Sequence, residues 1–345
     1  MSGIAAIVSF RLGGTDGVSR EAAKWEDALR ALGWRVVTVA GQGPVDRCLP
    51  GLAIDAPMRA GVQADEVAAA LDDADVVVVE NLCSLPLNPW ALAVVAGVLE
   101  GRPAVLRHHD LPWQRARFAD WPEPPPDDPA WAHVTINRMS ERELADRGIR
   151  ATTLYNAFDV HVPLLAKHDA RAALGLDDNR RVVLQPTRAI ARKNVPAGLR
   201  LAEELDAVFW LTGPAEEGYG PELASLLDGA TVPVVHRPIA DMAVAYGACD
   251  VVAFPSTFEG FGNPVIEAAI HRRPLAVAWY PVLDELREFG FEWLPVDSPE
   301  AVREWLEVDD VAGLDHNQRV ARQHFSLAAL PERLGTLFEA QGWRP

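Results

Sequence analysis

The sequence predicts an α/β protein with two Rossmann-like domains, each built on a doubly wound parallel sheet. The chain has 345 residues, which is too long for one typical hydrophobic core and suits two. Hydrophobic residues make up 49% of it and charged residues 23%, as in a globular protein. Short, continuous apolar runs such as Ile4 to Phe10 and Val251 to Phe254 are typical of buried parallel strands. We therefore expect two such domains.

The composition argues against some classes of partner and favours one cellular compartment. Lysine and arginine number 32 against 49 acidic residues, and the net charge of −17 argues against nucleic acid and against attachment to anionic lipid. The three cysteines, Cys48, Cys83 and Cys249, are far apart and show no metal or redox spacing, which favours a reduced cytoplasmic compartment. No apolar run reaches membrane-spanning length, and the N-terminal run lacks the basic lead of a signal peptide.

A glycine-rich loop follows the first predicted strand. Gly13, Gly14 and Gly17 lie between that strand and a helical pattern from Val18 to Leu32. A strand, a glycine loop and a helix in this order are typical of a dinucleotide-binding site. The loop pattern Gly-Gly-x-x-Gly, however, differs from the dinucleotide-binding pattern Gly-x-Gly-x-x-Gly. The next strand also ends without an acidic residue to bind a ribose. We therefore disfavour a nicotinamide or flavin cofactor. The glycines still allow the backbone to approach a ligand closely.

Polar residues follow the strand predicted from Pro103 to Arg107. His108, His109 and Asp110 come directly after it, and Trp113 follows them. Because ligands of parallel sheets collect at the carboxyl ends of the strands, we expect this cluster to line a ligand site. The other interpretations are a metal site, whose further ligands the sequence does not reveal, and a loop of surface polar residues. Trp113 could stack on a sugar ring or pack within the loop.

The segment from Asp250 to Arg273 carries the strongest functional pattern. The apolar run at its start predicts a buried strand, Gly260 and Gly262 predict a permissive turn, and Pro264 suits the first turn of a helix. A strand, a glycine turn and a helix N-terminus together form an anion-binding arrangement.

Two carboxylates, Glu259 and Glu267, bracket this turn. A carboxylate beside a phosphate site is better suited to accept hydrogen bonds from hydroxyl groups than to bind phosphate. Two carboxylates at this spacing could hold two polyols on either side of a diphosphate. The simpler interpretation is that the helix dipole favours acidic residues here, but it explains neither the glycines nor the buried strand.

The motif from Pro255 to Ala268, Pro-Ser-x-x-Glu-Gly-Phe-Gly-Asn-Pro-x-x-Glu-Ala, resembles the signature of retaining glycosyltransferases of family four, which have the GT-B fold. Tyr155 to Asp159 is similar to the family's Asn-Gly-x-Asp segment at the domain crossover, although Ala157 replaces the glycine. The resemblance implies two domains that face a central cleft, an acceptor domain over residues 1–163 and a nucleotide-sugar domain over residues 164–325. It also implies that residues 326–345 form a helix that crosses back to the first domain.

The resemblance gives each candidate residue a role. Glu259 would bind hydroxyls of the transferred hexose and Glu267 those of the ribose, while Arg192 competes with the better-matching Lys193 for the diphosphate. The implied catalytic residues are His109, Arg188, Lys193 and Glu259, and His109 is preferred here over the neighbouring His108, which the sequence leaves as the alternative. The implied donor-binding residues are Gly13, Gly14, Arg188, Lys193, Gly213, Glu259, Gly260, Phe261, Gly262, Asn263 and Glu267. The implied acceptor-binding residues are Asp16, His108, Asp110 and Trp113.

The expected reaction is transfer of a hexose from a nucleoside-diphosphate sugar, of the GDP-mannose or UDP-glucose type, to a hydroxyl group with retention of configuration. We expect no cofactor and no metal, because Arg188, Lys193 and the helix N-terminus would neutralise the diphosphate. The acidic surface favours a soluble acceptor over a membrane one. The alternatives are a nucleotide-sugar epimerase or a phosphorylase on the same fold, and a non-catalytic protein that binds nucleotide sugars.

Overall fold

The computed structural model describes residues 2–14, 16–57, 61–177, 179–308 and 310–345. The chain divides into two compact units. Unit 1 comprises Met1–Ala157 and Leu327–Pro345, and unit 2 comprises Phe158–Ser326. Both are parallel α/β units, which confirms the predicted fold class of each domain.

Unit 1 is built on a seven-stranded parallel sheet with the order β3-β2-β1-β4-β5-β6-β7. Its strands are β1 (Ile4–Arg11), β2 (Arg35–Gln42), β3 (Arg47–Cys48), β4 (Val76–Glu80), β5 (Ala104–His108), β6 (Trp131–Thr135) and β7 (Ala151–Thr153). Its helices are α1 (Gly17–Ala31), α2 (Ala64–Ala70), α3 (Pro89–Leu99), α4 (Arg138–Ala145) and, from the end of the chain, α13 (Leu330–Ala340).

The sheet of unit 1 is covered on both faces, as its sequence requires. All five residues of β4, including the four valines, are buried, so this strand has no polar face to present to water. One core contains Trp25 of α1 together with Leu334 and Phe338 of α13. The C-terminal helix therefore packs inside unit 1, although unit 2 precedes it in the chain.

Unit 2 is built on a six-stranded parallel sheet with the order β10-β9-β8-β11-β12-β13. Its strands are β8 (Val182–Gln185), β9 (Val208–Leu211), β10 (Val234–His236), β11 (Val251–Phe254), β12 (Leu275–Val277) and β13 (Leu294–Pro295). Its helices are α5 (Lys167–Leu174), α6 (Val195–Glu204), α7 (Gly220–Asp228), α8 (Met242–Ala248), α9 (Asn263–Ile270), α10 (Pro281–Arg287), α11 (Pro299–Val308) and α12 (Val311–His324).

The central strands of unit 2, β8 and β11, lie side by side and are fully buried. Because the strands are parallel, the segments that follow β8, β9, β11 and β12 leave the sheet at one edge. That edge carries the residues described next. None of the helices in the described ranges combines the length and the apolar composition of a membrane-spanning helix.

Candidate active site

The turn between β11 and α9 is shaped by one glycine and one buried tyrosine. Gly262 has a φ of +96°, and a Cβ atom at this position would collide with the Tyr280 hydroxyl. That hydroxyl donates a hydrogen bond to the Phe261 carbonyl at 3.1 Å. Pro264 occupies the first turn of α9, where its missing N–H costs nothing. The predicted strand, glycine turn and helix N-terminus are confirmed.

Glu259, within this turn, is a nearly buried carboxylate that binds two cations. Its Oε1 accepts from Lys193 Nζ at 2.5 Å, and its Oε2 accepts from Arg192 Nη1 at 3.0 Å. The Arg192 guanidinium also donates to the Phe258 carbonyl at 2.9 Å. Burial raises the pKa of Glu259, but the charges of Lys193 and Arg192 outweigh this effect and hold the pKa below its ordinary value. Glu259 is therefore ionised at neutral pH.

Arg192 and Lys193, the two cations considered for the diphosphate, both bind the Glu259 carboxylate. Sequence reasoning treated Arg192 and Lys193 as competitors, whereas each contacts a different oxygen of Glu259. Burial lowers the pKa of Lys193, and the adjacent carboxylate opposes this effect. A buried carboxylate and two cations form an assembly that can contact both the hydroxyl groups and the phosphates of one ligand.

Arg188 lies in the segment after β8 and has a different partner. Its guanidinium pairs with Glu216 at 2.6 Å, and both side chains are more than one third exposed. Gly213 packs against the backbone of Thr187 and Arg188, where a Cβ atom would collide with the Thr187 carbonyl. Only glycine lets the segments after β8 and β9 approach this closely.

Glu267 projects from α9 and is half-buried. Its Oε2 accepts a hydrogen bond from the Tyr246 hydroxyl at 2.7 Å. Tyr246 is itself buried and stacks on His271, with ring centroids 4.8 Å apart and planes 6° from parallel. Tyr246 therefore fixes the direction of the Glu267 carboxylate, a role that no motif in its own segment indicated.

In unit 1, His109 lies at the carboxyl end of β5 and pairs with Glu80 at the end of β4. The His109 Nε2 and Glu80 Oε2 atoms are 2.7 Å apart, and the backbone N–H of His109 donates to Asn81 Oδ1 at 3.1 Å. Arg107 donates to Glu80 Oε1 at 3.0 Å. No motif in the sequence pointed to Glu80, which is the last residue of the valine-rich strand β4. A charge that ends a fully apolar strand is the signal that could have found it.

His108, in contrast, uses both ring nitrogens inside unit 1. Its Nδ1 lies 2.7 Å from Ser84 Oγ, and its Nε2 lies 3.0 Å from Nδ1 of His133. His133 in turn pairs with Asp127 at 3.0 Å. The His108 side chain is 1% exposed, and burial lowers its pKa well below the ordinary value. The acceptor role of His108 stays a prediction, and this burial argues against it, whereas His109 retains a nitrogen for a ligand.

The other acceptor candidates make contacts within unit 1. Asp16 caps α1 by accepting from the Ser19 backbone N–H at 3.1 Å. Asp110 pairs with Arg115 at 2.6 Å. The Trp113 indole N–H donates to Glu143 Oε2 at 2.8 Å. The Arg147 guanidinium lies 3.6 Å from the centre of the Trp113 ring, so one face of this ring is covered. The acceptor roles of these residues stay predictions.

The glycine loop after β1 has the conformation that glycine permits. Gly13 has a φ of +73°, and a Cβ atom there would meet the ring of Pro44. Gly13 lines a cavity of about 440 Å³ beside α1. At Gly14, a Cβ atom would lie 3.0 Å from Asp16 Oδ2. Gly13 and Gly14 are therefore close to their neighbours, and the approach of this segment to a donor stays a prediction. Among the described residues, no group of three or more His, Cys, Asp or Glu side chains could hold a metal ion.

Residues 190–298 match the family described as glycosyl transferases group 1. This range contains Lys193, Gly213, Glu259 and Glu267, and Arg188 lies just before it. The mannosylglucosylglycerate synthase of Thermotoga maritima is 25% identical, over 95% of this chain and 98% of its own length. The family match and this relative both support the identification of the chain as a glycosyltransferase.

Solved structures agree on the fold. The Anabaena protein HepE, crystallised with UDP-glucose, superposes with a TM-score of 0.77 at 19% identity, covering 98% of this chain and 99% of its own. Sucrose-phosphate synthase from Thermosynechococcus elongatus superposes with a TM-score of 0.75 at 15% identity, covering 98% of each chain. The chain has the GT-B fold.

Proposed function

We propose that the chain is a retaining glycosyltransferase that moves a hexose from a nucleoside-diphosphate sugar to a hydroxyl group. The observation that carries this proposal is Glu259, a nearly buried, ionised carboxylate held by Lys193 and Arg192 beside the N-terminus of α9. The glycosyl transferases group 1 match spans all three residues. A carboxylate that touches two cations can bind sugar hydroxyls while the cations bind the adjoining diphosphate.

The chemistry requires positive charge where the leaving group forms. When the bond between the anomeric carbon and the phosphate oxygen breaks, the electron pair stays on the diphosphate. Lys193, Arg192 and Arg188 would stabilise that charge, because donors already fixed in place cost no reorganisation. The acceptor hydroxyl would attack the same face of the sugar and give its proton to the leaving phosphate, so no side chain serves as a covalent nucleophile. In this proposal the three cations neutralise the diphosphate without a metal.

Glu259 and Glu267 would divide the polyol groups of the donor. We assign the hexose hydroxyls to Glu259, because it lies against the cations, and the ribose hydroxyls to Glu267 on the following helix. Hydrogen bonds to ionised groups contribute roughly 1.5–3 kcal/mol each. The carboxylates therefore supply affinity as well as orientation.

The identities of the donor and the acceptor are proposed from the names of the relatives. The Thermotoga maritima relative is named mannosylglucosylglycerate synthase, and HepE was crystallised with UDP-glucose. We propose GDP-mannose or UDP-glucose as the donor and a small, soluble polyol or sugar acid as the acceptor. The net charge of −17 is consistent with an acceptor that is not embedded in anionic lipid.

The proposal is tested first by thermal stabilisation with GDP, UDP, ADP, dTDP and NAD. A ligand at about 100 times its Kd adds roughly 2.7 kcal/mol to the free energy of unfolding, which raises the Tm measurably. We expect one nucleoside diphosphate to raise the Tm and NAD to have no effect. The matching sugar nucleotide is then incubated with and without acceptors. Sugar interconversion without an acceptor would indicate an epimerase, and tight binding with no turnover would indicate a binding protein.

Replacement of Glu267 by alanine should weaken binding of the free nucleoside diphosphate by about 10- to 100-fold, the equivalent of about one lost hydrogen bond to a charged group. Isothermal calorimetry with the nucleotide measures this change. Tyr246→Phe removes only the hydroxyl that orients Glu267, and its effect should be smaller and in the same direction. An unchanged Kd in Glu267→Ala would remove this residue from the ribose site.

A further inference from the structure

Glu80 and His109 are neighbours because of strand pairing. β4 and β5 are adjacent and parallel, and Glu80 is in register with Arg107. The segment after β5 then turns so that the His109 ring meets the Glu80 carboxylate. The Glu80 side chain is fully buried, so its two oxygens depend entirely on protein partners.

Each oxygen of Glu80 has its own partner. Oε1 accepts from Arg107 at 3.0 Å, and Oε2 faces Nε2 of His109 at 2.7 Å. Burial raises the pKa of Glu80, but the charge of Arg107 and the contact with His109 outweigh it, so the pKa lies below its ordinary value. An ionised carboxylate can only accept hydrogen bonds, so the Nε2 atom of His109 must carry its proton.

Arg107 is held from further directions, which fixes Glu80 in turn. Its guanidinium also donates to Glu21 Oε2 at 3.2 Å and to Asn156 Oδ1 at 3.3 Å. It lies 4.4 Å from the centre of the Trp25 ring. The Glu80 carboxylate therefore has little freedom to rotate away from His109.

The Nδ1 atom of His109 makes no hydrogen bond to the described residues. We propose that Glu80 is a positioning residue, which holds His109 in the Nε2–H form so that Nδ1 can accept a hydrogen bond from a hydroxyl of the sugar substrate. This inference rests on the proposed function for its substrate, but the tautomer itself is a property of the protein alone. His108 cannot take this role, because both of its ring nitrogens have partners in unit 1.

Glu80→Gln tests the proposal sharply. Arg107 requires an acceptor, so the amide oxygen of the substituted side chain should face Arg107 and its NH₂ group should face His109. The Nε2 atom would then accept, the proton would move to Nδ1, and the acceptor for the substrate would be lost. We expect kcat/KM to fall about tenfold, which is 1.4 kcal/mol, the size of one hydrogen bond.

Glu21→Gln is the matched control, because it removes one charge from the same buried network, keeps an amide oxygen that can accept from Arg107, and does not touch His109. We expect its kcat/KM to stay within about twofold of the wild type, whatever the change in Tm. In a His109→Ala background, Glu80→Gln should cost nothing further, because positioning acts only through His109. Equal losses in Glu80→Gln and Glu21→Gln, or a full Glu80→Gln effect without His109, would show that Glu80 acts only through stability.

A second readout needs no activity. In protein labelled with ¹⁵N-histidine, long-range ¹H–¹⁵N spectra distinguish the two tautomers, and His109→Gln identifies the signal among nine histidines. We expect the Nε2–H form in the wild type and in Glu21→Gln, and the Nδ1–H form in Glu80→Gln. A wild-type signal from the Nδ1–H form would overturn the proposal. If no donor and acceptor pair reacts, the proposed function fails, while these spectra still decide the role of Glu80.

Discussion

Arg188→Ala should lower kcat for sugar transfer by about 10²–10³-fold, the cost of removing one preorganised donor to developing negative charge. Arg188 follows the buried strand β8, and its backbone is packed against Gly213, so its position is fixed although its side chain is partly exposed. Its pairing with Glu216 involves two partly exposed groups and is worth at most about 1 kcal/mol. A diphosphate can therefore compete for the guanidinium. Steady-state rates at saturating donor and acceptor measure the loss.

Arg180→Ala provides the matched control for this prediction. Arg180 belongs to the same unit and carries the same charge, but it pairs at 3.8 Å with the exposed Asp206. Its removal should leave kcat unchanged, which separates a local effect on the leaving group from a general loss of positive charge. Comparable rates in the two variants would show that Arg188 acts only as a surface charge.

Glu259→Gln should lower kcat about 10²-fold without weakening the binding of free nucleoside diphosphate. The amide keeps the size of the side chain but loses the charge that accepts the hexose hydroxyls, and hydrogen bonds to a charged group account for a loss of this order. Lys193 and Arg192 stay in place and still attract phosphate. Kinetics with the sugar nucleotide and calorimetry with the free nucleotide distinguish the two effects.

The same substitution should reduce the free energy of unfolding by about 3 kcal/mol, because it leaves two largely buried cations without a counter-charge. Glu216→Gln removes a carboxylate from the partly exposed pair with Arg188 and should cost about 1 kcal/mol or less. Denaturant unfolding of both variants gives the comparison. If Glu259→Gln bound the free nucleotide more weakly, its assignment to the hexose would be wrong.

The parallel sheets could be predicted because their central strands are buried on both faces. Val76 to Val79 and Val251 to Phe254 are continuous apolar runs, and such runs have few other ways to remove their side chains from water. The turn before α9 could be predicted as well, because glycine and proline impose local conformations that do not depend on distant partners.

The partners of the site residues could not be predicted in this way. Glu80 meets Arg107 and His109 only because β4 and β5 pair, and Tyr246 reaches Glu267 from a helix that carries no motif. From the sequence, Arg192 and Lys193 are alternatives for the diphosphate, since the family motif requires only one cation at this place. The Glu259 carboxylate has two oxygens, and the fold places one of the two cations on each of them. Local chemistry identified the charged residues of the motifs, whereas tertiary contacts decided how they combine and added Glu80, which no motif indicated.

The outermost strands of both sheets are very short. β3 and β13 have two residues each, and β7 and β10 have three. Arg47 in β3 is held by Asp73 and by the Ala70 carbonyl, and Pro295 ends β13 without an N–H group to donate. The edges of both sheets therefore offer a strand of another molecule almost no continuous row of free backbone donors and acceptors. The described part of the chain can carry thirteen strands, several of them almost wholly apolar, and still resist the edge-to-edge pairing that begins aggregation.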